Sequence, residues 1–273
     1  MTAALKALEQ AKAAAIRIPA DLYHQRPELS NSQNNILIDE TPAHFQEYKK
    51  NPPKQTKAMM QGQVIHSAIF EPELFLDTHV AMPVCDRRTK EGKDFYEKFC
   101  IDHAGKTIMD NDLYHMAFGM IGSVMAHRKA RETLVKNHNE LSFFGQLDGV
   151  AVRCRPDILR AGNLIADLKT TESAKEGSFQ YDFTKYKYYR QCAFYLDLVT
   201  QVTGQKHDMF SIIAVEKHPP YAVQVFGVDD ATIEKGREEY KRGLEIYRQC
   251  LESDKWPAYS DEVVPLNLCS WAW

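Results

Sequence analysis

No stretch of this 273-residue chain is apolar for long enough to span a bilayer. The alanine-rich start, Met1 to Ala15, is broken by Lys6, Glu9 and Lys12 and lacks the pattern of a secretory signal. The six cysteines, Cys85, Cys100, Cys154, Cys192, Cys250 and Cys269, show no C-x-x-C pairing, which argues against a structural zinc site. Scattered, unpaired thiols suit a reducing cytoplasm. Positive charge is not in excess: the formal net charge is −3, so the basic footprint that phosphate binding usually leaves is missing from the total. A total hides distribution, however, and an acidic exterior can coexist with a basic channel. No internal repeat or low-complexity tract stands out. What is present is enough apolar material for a large core, 44% of residues, in a length that one domain can hold.

The most informative segment is Arg153-Cys154-Arg155-Pro156-Asp157, followed ten residues later by Asp167-Leu168-Lys169. Two carboxylates and a lysine in the order P-D…D-x-K are suited to holding a divalent metal beside a phosphodiester and keeping an attacking water near a positive charge. Gly149 to Arg155 alternates apolar with polar or small residues and meets a proline. Asn163 to Lys169 is a second apolar run, and Arg160-Ala161-Gly162-Asn163 between them carries turn residues. The spacing predicts a hairpin of these two strands that brings Asp157 close to Asp167. Because side chains alternate along a strand, Asp167 and Lys169 are expected on one face with Leu168 pointing into the core. A D-x-K triplet beside a Pro-Asp turn also occurs as ordinary surface chemistry, so the rest of the chain matters.

Downstream, Tyr186 to Leu198 has apolar positions that fit a helix, with Gln191 and Tyr195 four apart on one face. Upstream, His66 lies in a mainly apolar stretch, Gln61 to Phe70, that reads as a helix; taken alone, such a histidine is more often a satisfied core residue than a ligand. Two local patches mix cations with polar or aromatic groups: Arg87-Arg88-Thr89-Lys90 and Lys185 to Arg190. They would suit phosphate contact and stacking on unpaired bases, although a solvated loop and a helix face are the commoner use of such residues.

Several ordered motifs resemble the PD-(D/E)xK nucleases of the RecB, RecE and lambda-exonuclease type. The matching pieces are G-x-x-I-H at Gly62 to His66, E-L-S-F-F at Glu140 to Phe144, C-R-P-D at Cys154 to Asp157, D-L-K-T-T at Asp167 to Thr171 and Y-R-Q-C-A-F-Y at Tyr189 to Tyr195. Further out lie S-N-S at Ser30 to Ser32, T-P-A-H-F at Thr41 to Phe45 and D-K-W-P-A-Y near the C-terminus, so the likeness runs along nearly the whole chain. Residue by residue, the resemblance implies that Asp157 and Asp167 ligate catalytic Mg²⁺ or Mn²⁺, two ions per site, with the Leu168 carbonyl as a backbone ligand and His66 on the second metal. It implies that Lys169 orients or deprotonates the water and that Gln191 and Tyr195 steady the site or the scissile strand. Glu140 is a candidate for the acidic residue that precedes the first core strand in relatives, with Glu132 as its rival and a solvated helix-end glutamate as the other reading. A loose match to the front of lambda exonuclease makes Arg26, Ser30 and Ser32 candidates for holding a 5′-phosphate, although an Arg-Pro loop followed by serines is also a plain helix cap.

The resemblance further implies a processive 5′→3′ exonuclease on double-stranded DNA ends. Such an enzyme leaves a 3′ single strand for a phage-type single-strand annealing partner in recombination, and works as a trimeric or tetrameric homo-oligomer ring in a bacterial or phage-encoded cytoplasmic setting. Rival readings are a RecB-like single-strand nuclease, an endonuclease, or a DNA-end-binding module without catalysis. The cysteines lack the clustered C-terminal arrangement of the iron-sulfur members of the RecB branch.

The expected fold is α/β: a central mixed sheet flanked by helices, with a mainly helical front over residues 1–135, a catalytic sheet core over 136–228 and a C-terminal helix and tail over 229–273, all in one domain. Prolines 27, 42, 52, 53 and 83 break the front, and sheet signals return at Met209 to Glu216 and Tyr221 to Val228. A last helix, Asp230 to Leu251, is expected to start at an aspartate cap and pack Ile233, Tyr240, Leu244 and Tyr247 inward.

Overall fold

The computed structural model describes residues 15–54, 56–134, 137–139, 141–160 and 162–269. Its front half is mostly helical. In order it holds α1 (Ala20–Gln25), β1 (Leu29–Ser30), α2 (Asn31–Asp39), α3 (Pro42–Lys50), α4 (Lys57–Phe70), α5 (Pro72–Thr78), β2 (His79–Ala81), α6 (Lys90–Asp102), β3 (Thr107–Met109), α7 (Asn111–Ala126) and α8 (Arg128–Leu134). Five of these helices start where a side chain supplies an oxygen for their unpaired amides. Ser30 caps α2, Thr41 caps α3, Thr56 caps α4, Thr89 caps α6 and Asp110 caps α7.

The second half carries β4 (Asn137–Asn139), β5 (Phe143–Leu147), β6 (Val150–Cys154), β7 (Ile158–Arg160), β8 (Leu164–Thr171), α9 (Glu176–Lys185), α10 (Tyr188–Thr203), β9 (Met209–Glu216), β10 (Val223–Val228) and α11 (Asp230–Ser253). One sheet is mixed and five-stranded, ordered β10-β9-β8-β7-β4, with β8 and β9 parallel and the other pairs antiparallel. A second has three strands, β1-β6-β5. The mixed sheet with helices on it is the α/β architecture the sequence predicts.

The expected hairpin is placed differently. β6 does not pair with β8; it pairs antiparallel with β5 through Asp148 and Gly149, both at positive φ (48° and 79°), as a two-residue primed turn requires. The antiparallel partner of β8 is the short β7. Pro156 lies between β6 and β7, where a residue without an N–H cannot continue a ladder, and the chain crosses there from the small sheet to the large one. β1 adds a second surprise, pairing in parallel with β6 at Leu29↔Val152, so the helical front contributes a strand to the sheet that leads into the P-D segment.

Alternation along β8 divides the core in two. Ile165, with Ile212 and Ala214 of β9, packs beneath α10 and α11 in a cluster that includes Phe194, Leu198, Tyr240 and Leu244. Ala166 and Leu168, with Ile213 and Val215, face the opposite way and meet Ile65 of α4, Met120 and Val124 of α7 and Ala130 of α8. The sheet is thus covered on both sides, α4, α7 and α8 below and α10 and α11 above. The last helix runs as expected, its cap being Asp229, which accepts from the Thr232 amide, and its buried face holding Ile233, Tyr240, Leu244 and Tyr247. No helix among the described residues is long and apolar enough to cross a membrane.

α10 and α11 approach closely at Gly236, where an added Cβ would lie 2.2 Å from the Tyr189 carbonyl oxygen. Alanine is favoured over glycine within a helix by about 1 kcal/mol, but here the overlap is with backbone and must move a helix. Gly236→Ala is therefore expected to destabilise by roughly 1–3 kcal/mol, read as a lower urea midpoint with unchanged slope; a stabilised variant would mean that the two helices slide freely.

Candidate active site

Extending the β7–β8 register (Ile158↔Ala166) by one residue sets Asp157 opposite Asp167. This is how the two carboxylates of the P-D…D-x-K segment converge. Asp157 Oδ2 accepts a 2.7 Å hydrogen bond from the Leu168 amide, so a side chain takes over as acceptor where Pro156 ends the ladder. Asp167 and Lys169 project to the α10 side of the sheet while Leu168 is buried below, as strand alternation predicts. Lys169 Nζ lies 2.6 Å from Asp167 Oδ2.

Gln191, in the first turn of α10, binds both. Its amide nitrogen donates to Asp167 Oδ1 at 2.9 Å, and its amide oxygen accepts from Lys169 Nζ at 3.1 Å. One side chain therefore holds the carboxylate and the ammonium at once. Tyr195, a turn further on, is half-buried beside this group; burial, then Tyr23 and Asp167, push its phenol well above the usual range, which keeps it protonated.

His66 reaches the site from α4. Its Nε2 lies 3.2 Å from the Leu168 carbonyl oxygen and its Nδ1 3.6 Å from Asp157 Oδ1. The imidazole, both carboxylates and the Leu168 carbonyl thus gather at one place. Gly62, one turn before His66, faces open space, where a Cβ would meet nothing within 4 Å.

Burial pulls the Lys169 ammonium toward deprotonation, but Asp167, then Asp157 and the Tyr188 hydroxyl hold the proton, and the net result is above the ordinary lysine range. The ring of Tyr188 lies 4.6 Å from Nζ, a contact that sequence reasoning did not single out, although the i, i+3 spacing of Tyr188 and Gln191 in one helix signals it.

Among the described residues, no three His, Cys, Asp or Glu side chains close into a preformed metal cage. The donors nevertheless fit a hard divalent cation. Two carboxylates, a carbonyl and one imidazole are the ligand chemistry that Mg²⁺ or Mn²⁺ accepts. Asp167 Oδ2 is buried without a well-directed hydrogen bond, its charge met by the Lys169 ammonium alongside. A cation on the same oxygen would work against the proton on Lys169.

The remaining expected residues fall elsewhere. Glu140 lies outside the described residues. Glu132 is a partly exposed glutamate of α8 paired to Arg128 at 3.0 Å and Lys129 at 3.8 Å, an arrangement that solvated helix faces commonly adopt. Ser30 is the N-cap of α2 in a full capping box with Gln33, and its hydroxyl lies 3.0 Å from that of Ser32. Arg26 pairs with Glu28 and covers the Phe144 ring at 4.8 Å. Arg190, grouped by sequence with a basic patch, is buried between Asp39 at 2.8 Å and Glu239 at 2.7 Å and serves the packing of α2, α10 and α11. Arg153 and Arg155, which flank Cys154, strap the segment before α2 to the small sheet. Arg153 donates to the carbonyls of Arg26 and Glu28, Arg155 to Ile18, and both cover the Tyr23 ring.

A covered mixed sheet with P-D at the start of one strand and D-x-K along its antiparallel neighbour defines the PD-(D/E)xK fold. Within that class the chain belongs to the family described as PDDEXK-like domain of unknown function (DUF3799), whose model matches residues 31–267. No protein of curated function matches it. Among solved structures, a candidate exonuclease from Eubacterium rectale aligns over 93% of this chain and 97% of its own at 16% identity, with a TM-score of 0.62. A phage-related exonuclease from Haemophilus somnus 129PT aligns over 85% of this chain and 99% of its own at 15% identity and a TM-score of 0.33. An alkaline exonuclease from Laribacter hongkongensis does so over 70% and 96% at 13% identity and a TM-score of 0.31. The first of these likenesses is one of fold.

Competition between cation and ammonium for Asp167 gives a testable expectation. Lys169→Ala should fold, and Mn²⁺ should raise its melting temperature further than that of the wild type, by about 2–4 °C for each kcal/mol of added binding energy. Asp157→Ala should lose the Mn²⁺ response. Equal shifts in all three proteins, measured by thermal unfolding with and without EDTA, would remove the carboxylates from metal binding.

Proposed function

We propose that this protein is a metal-dependent deoxyribonuclease that works from the ends of double-stranded DNA, digesting one strand 5′→3′ and leaving a 3′ single-stranded overhang. The observation that carries the reading is the network in which Gln191 binds both Asp167 and Lys169 while Asp157 stands opposite Asp167 across one strand pair. It unites metal-ligand carboxylates with a fixed cation at a point where a phosphodiester would find both. The exonuclease name of the Eubacterium rectale relative supports the same reading. Polarity and duplex specificity rest on the resemblance of the ordered motifs, as do a three- or four-membered homo-oligomeric ring and a single-strand annealing partner.

His66, Asp157, Asp167 and the Leu168 carbonyl would hold Mg²⁺ or Mn²⁺, up to two ions. The chemistry such cations supply when bound is neutralisation of phosphate charge and acidification of water. The chain's own groups do the positioning. Lys169, aimed by Gln191 and resting against the Tyr188 ring, directs an ammonium into the site, where it donates a hydrogen bond to the attacking water or to a non-bridging phosphate oxygen. His66, through Leu168 and Asp157, holds the strand end to α4. Tyr195 stays protonated beside the carboxylates and serves as a neutral donor.

The test is digestion of a linear duplex with a 5′-phosphate and a distinct fluorophore on each strand, in Mg²⁺ and in EDTA, beside a closed circle and a free single strand. Loss of the 5′-phosphorylated strand alone, abolished by EDTA and sparing the circle, is the expected result. Cutting of the circle would make the enzyme an endonuclease, degradation of free single strands only would make it a single-strand nuclease, and no cutting with any divalent metal would leave a binding module. Lys169→Ala should cost at least about 10²-fold in rate while the fold persists; wild-type cleavage would remove Lys169 from the chemistry.

A further inference from the structure

The corner between α9 and α10 carries side chains that the hydrolytic network does not use. Tyr181 and Lys185 are four apart on one face of α9. The chain then turns through Tyr186 and the left-handed Lys187 (φ 57°) into Tyr188, the first residue of α10. Tyr181 is 67% exposed and Tyr186 52%. Lys185 Nζ lies 5.9 Å from the centroid of the Tyr181 ring and 5.3 Å from that of Tyr186. The Tyr186 ring lies 5.7 Å from that of Tyr188 at an interplanar angle of 33°. Tyr188 in turn lies against Lys169 at 4.6 Å. Rings and cations thus form an unbroken series from solvent to the lysine of the D-x-K motif.

Two exposed tyrosines contribute little to the core, and the rings that do serve it are elsewhere on the same helix: Phe179 is buried and stacked on Phe226 at 4.9 Å. An exposed aromatic face with ammonium groups beside it complements one kind of polymer well. Nucleobases offer π faces to the rings, and the phosphates between them offer negative charge to Lys185 and Lys187. The bases must be unpaired, because a base inside a duplex keeps both faces stacked on its neighbours.

Resting on the nuclease reading, we infer that this corner is a stacking platform for unpaired nucleotides of the strand that enters the active site. Tyr186 and then Tyr181 receive successive bases leading away from the phosphate lying at Lys169. Stacking is tolerant of sequence, because every base has a π face, so the platform selects a frayed or single-stranded segment rather than a particular base. The site would accordingly take substrate whose terminal pairs have opened.

The test uses a short fluorescein-labelled oligothymidylate and an abasic oligomer of the same length and charge. Their binding is followed by fluorescence anisotropy in EDTA, where nothing is cut. The wild type should prefer the thymidylate by about ten-fold per stacked base. The double variant Tyr181→Ala/Tyr186→Ala should bind the two oligomers alike, and Tyr181→Phe/Tyr186→Phe should keep the preference, with matched thermal melts establishing that all three are folded. No preference in the wild type, its persistence in the alanine variant, or equal loss in the phenylalanine variant would overturn the platform. Digestion of linear duplex in Mg²⁺ by the same preparations separates the two readings: cutting without base discrimination sinks the platform alone, and discrimination without cutting sinks the nuclease reading alone.

Discussion

The hydrogen bond from the Leu168 amide to the Asp157 carboxylate holds the rest of the site in place. Pro156 cannot donate into a ladder, so the main-chain pairing of β7 with β8 ends beside it, and the carboxylate continues the pairing by one position. Everything around it inherits that geometry. Asp167 stands opposite, Lys169 lies one pleat further along, and the Leu168 carbonyl is left facing His66 on the neighbouring helix. A longer acid or an alanine at position 157 would disturb its contacts with β8 and with α4 at once.

The electrostatic problem is to keep a buried carboxylate and a half-buried ammonium together without letting them lock. Ion pairs taken out of water lose hydration that their mutual attraction does not fully replace, and the usual remedy is to surround both with further donors and acceptors. Gln191 supplies one of each from a single amide, and the Tyr188 ring adds its negative face beneath the ammonium. In a chain whose net charge is −3, this arrangement fixes a positive charge beside the two carboxylates of the site.

Much of this was legible locally. The alternation around Leu168 gives the faces of β8, Gln191 and Tyr195 lie four apart on a helix, and the final helix follows from its apolar spacing. What failed was pairing. The two apolar runs flanking Pro156 read as one hairpin, whereas the Asp148-Gly149 turn, a strong signal on its own, ties β6 back to β5 and frees β8 for β7. Ser30 and Gln33, three apart, have the spacing of a capping box, and they form one. Arg190 could not be read locally, because Asp39 and Glu239, which bury it, lie far away along the chain. His66 was separable from an ordinary core histidine only through the ordered motifs, since its partners are a carbonyl and a carboxylate about a hundred positions downstream.

The parallel pairing of β1 with β6 bears on the order in which the chain is made. Leu29 and Val152 are more than a hundred residues apart, and parallel partners so distant close late in folding, after the intervening helices have been laid down. On the ribosome, the site cannot assemble as its parts emerge: His66 appears early, Asp157 and Asp167 later, and Gln191 last of all. A nascent chain that ends between Lys169 and Gln191 therefore holds both carboxylates and the lysine without the amide that aims it, and the network closes only after α10 has been made.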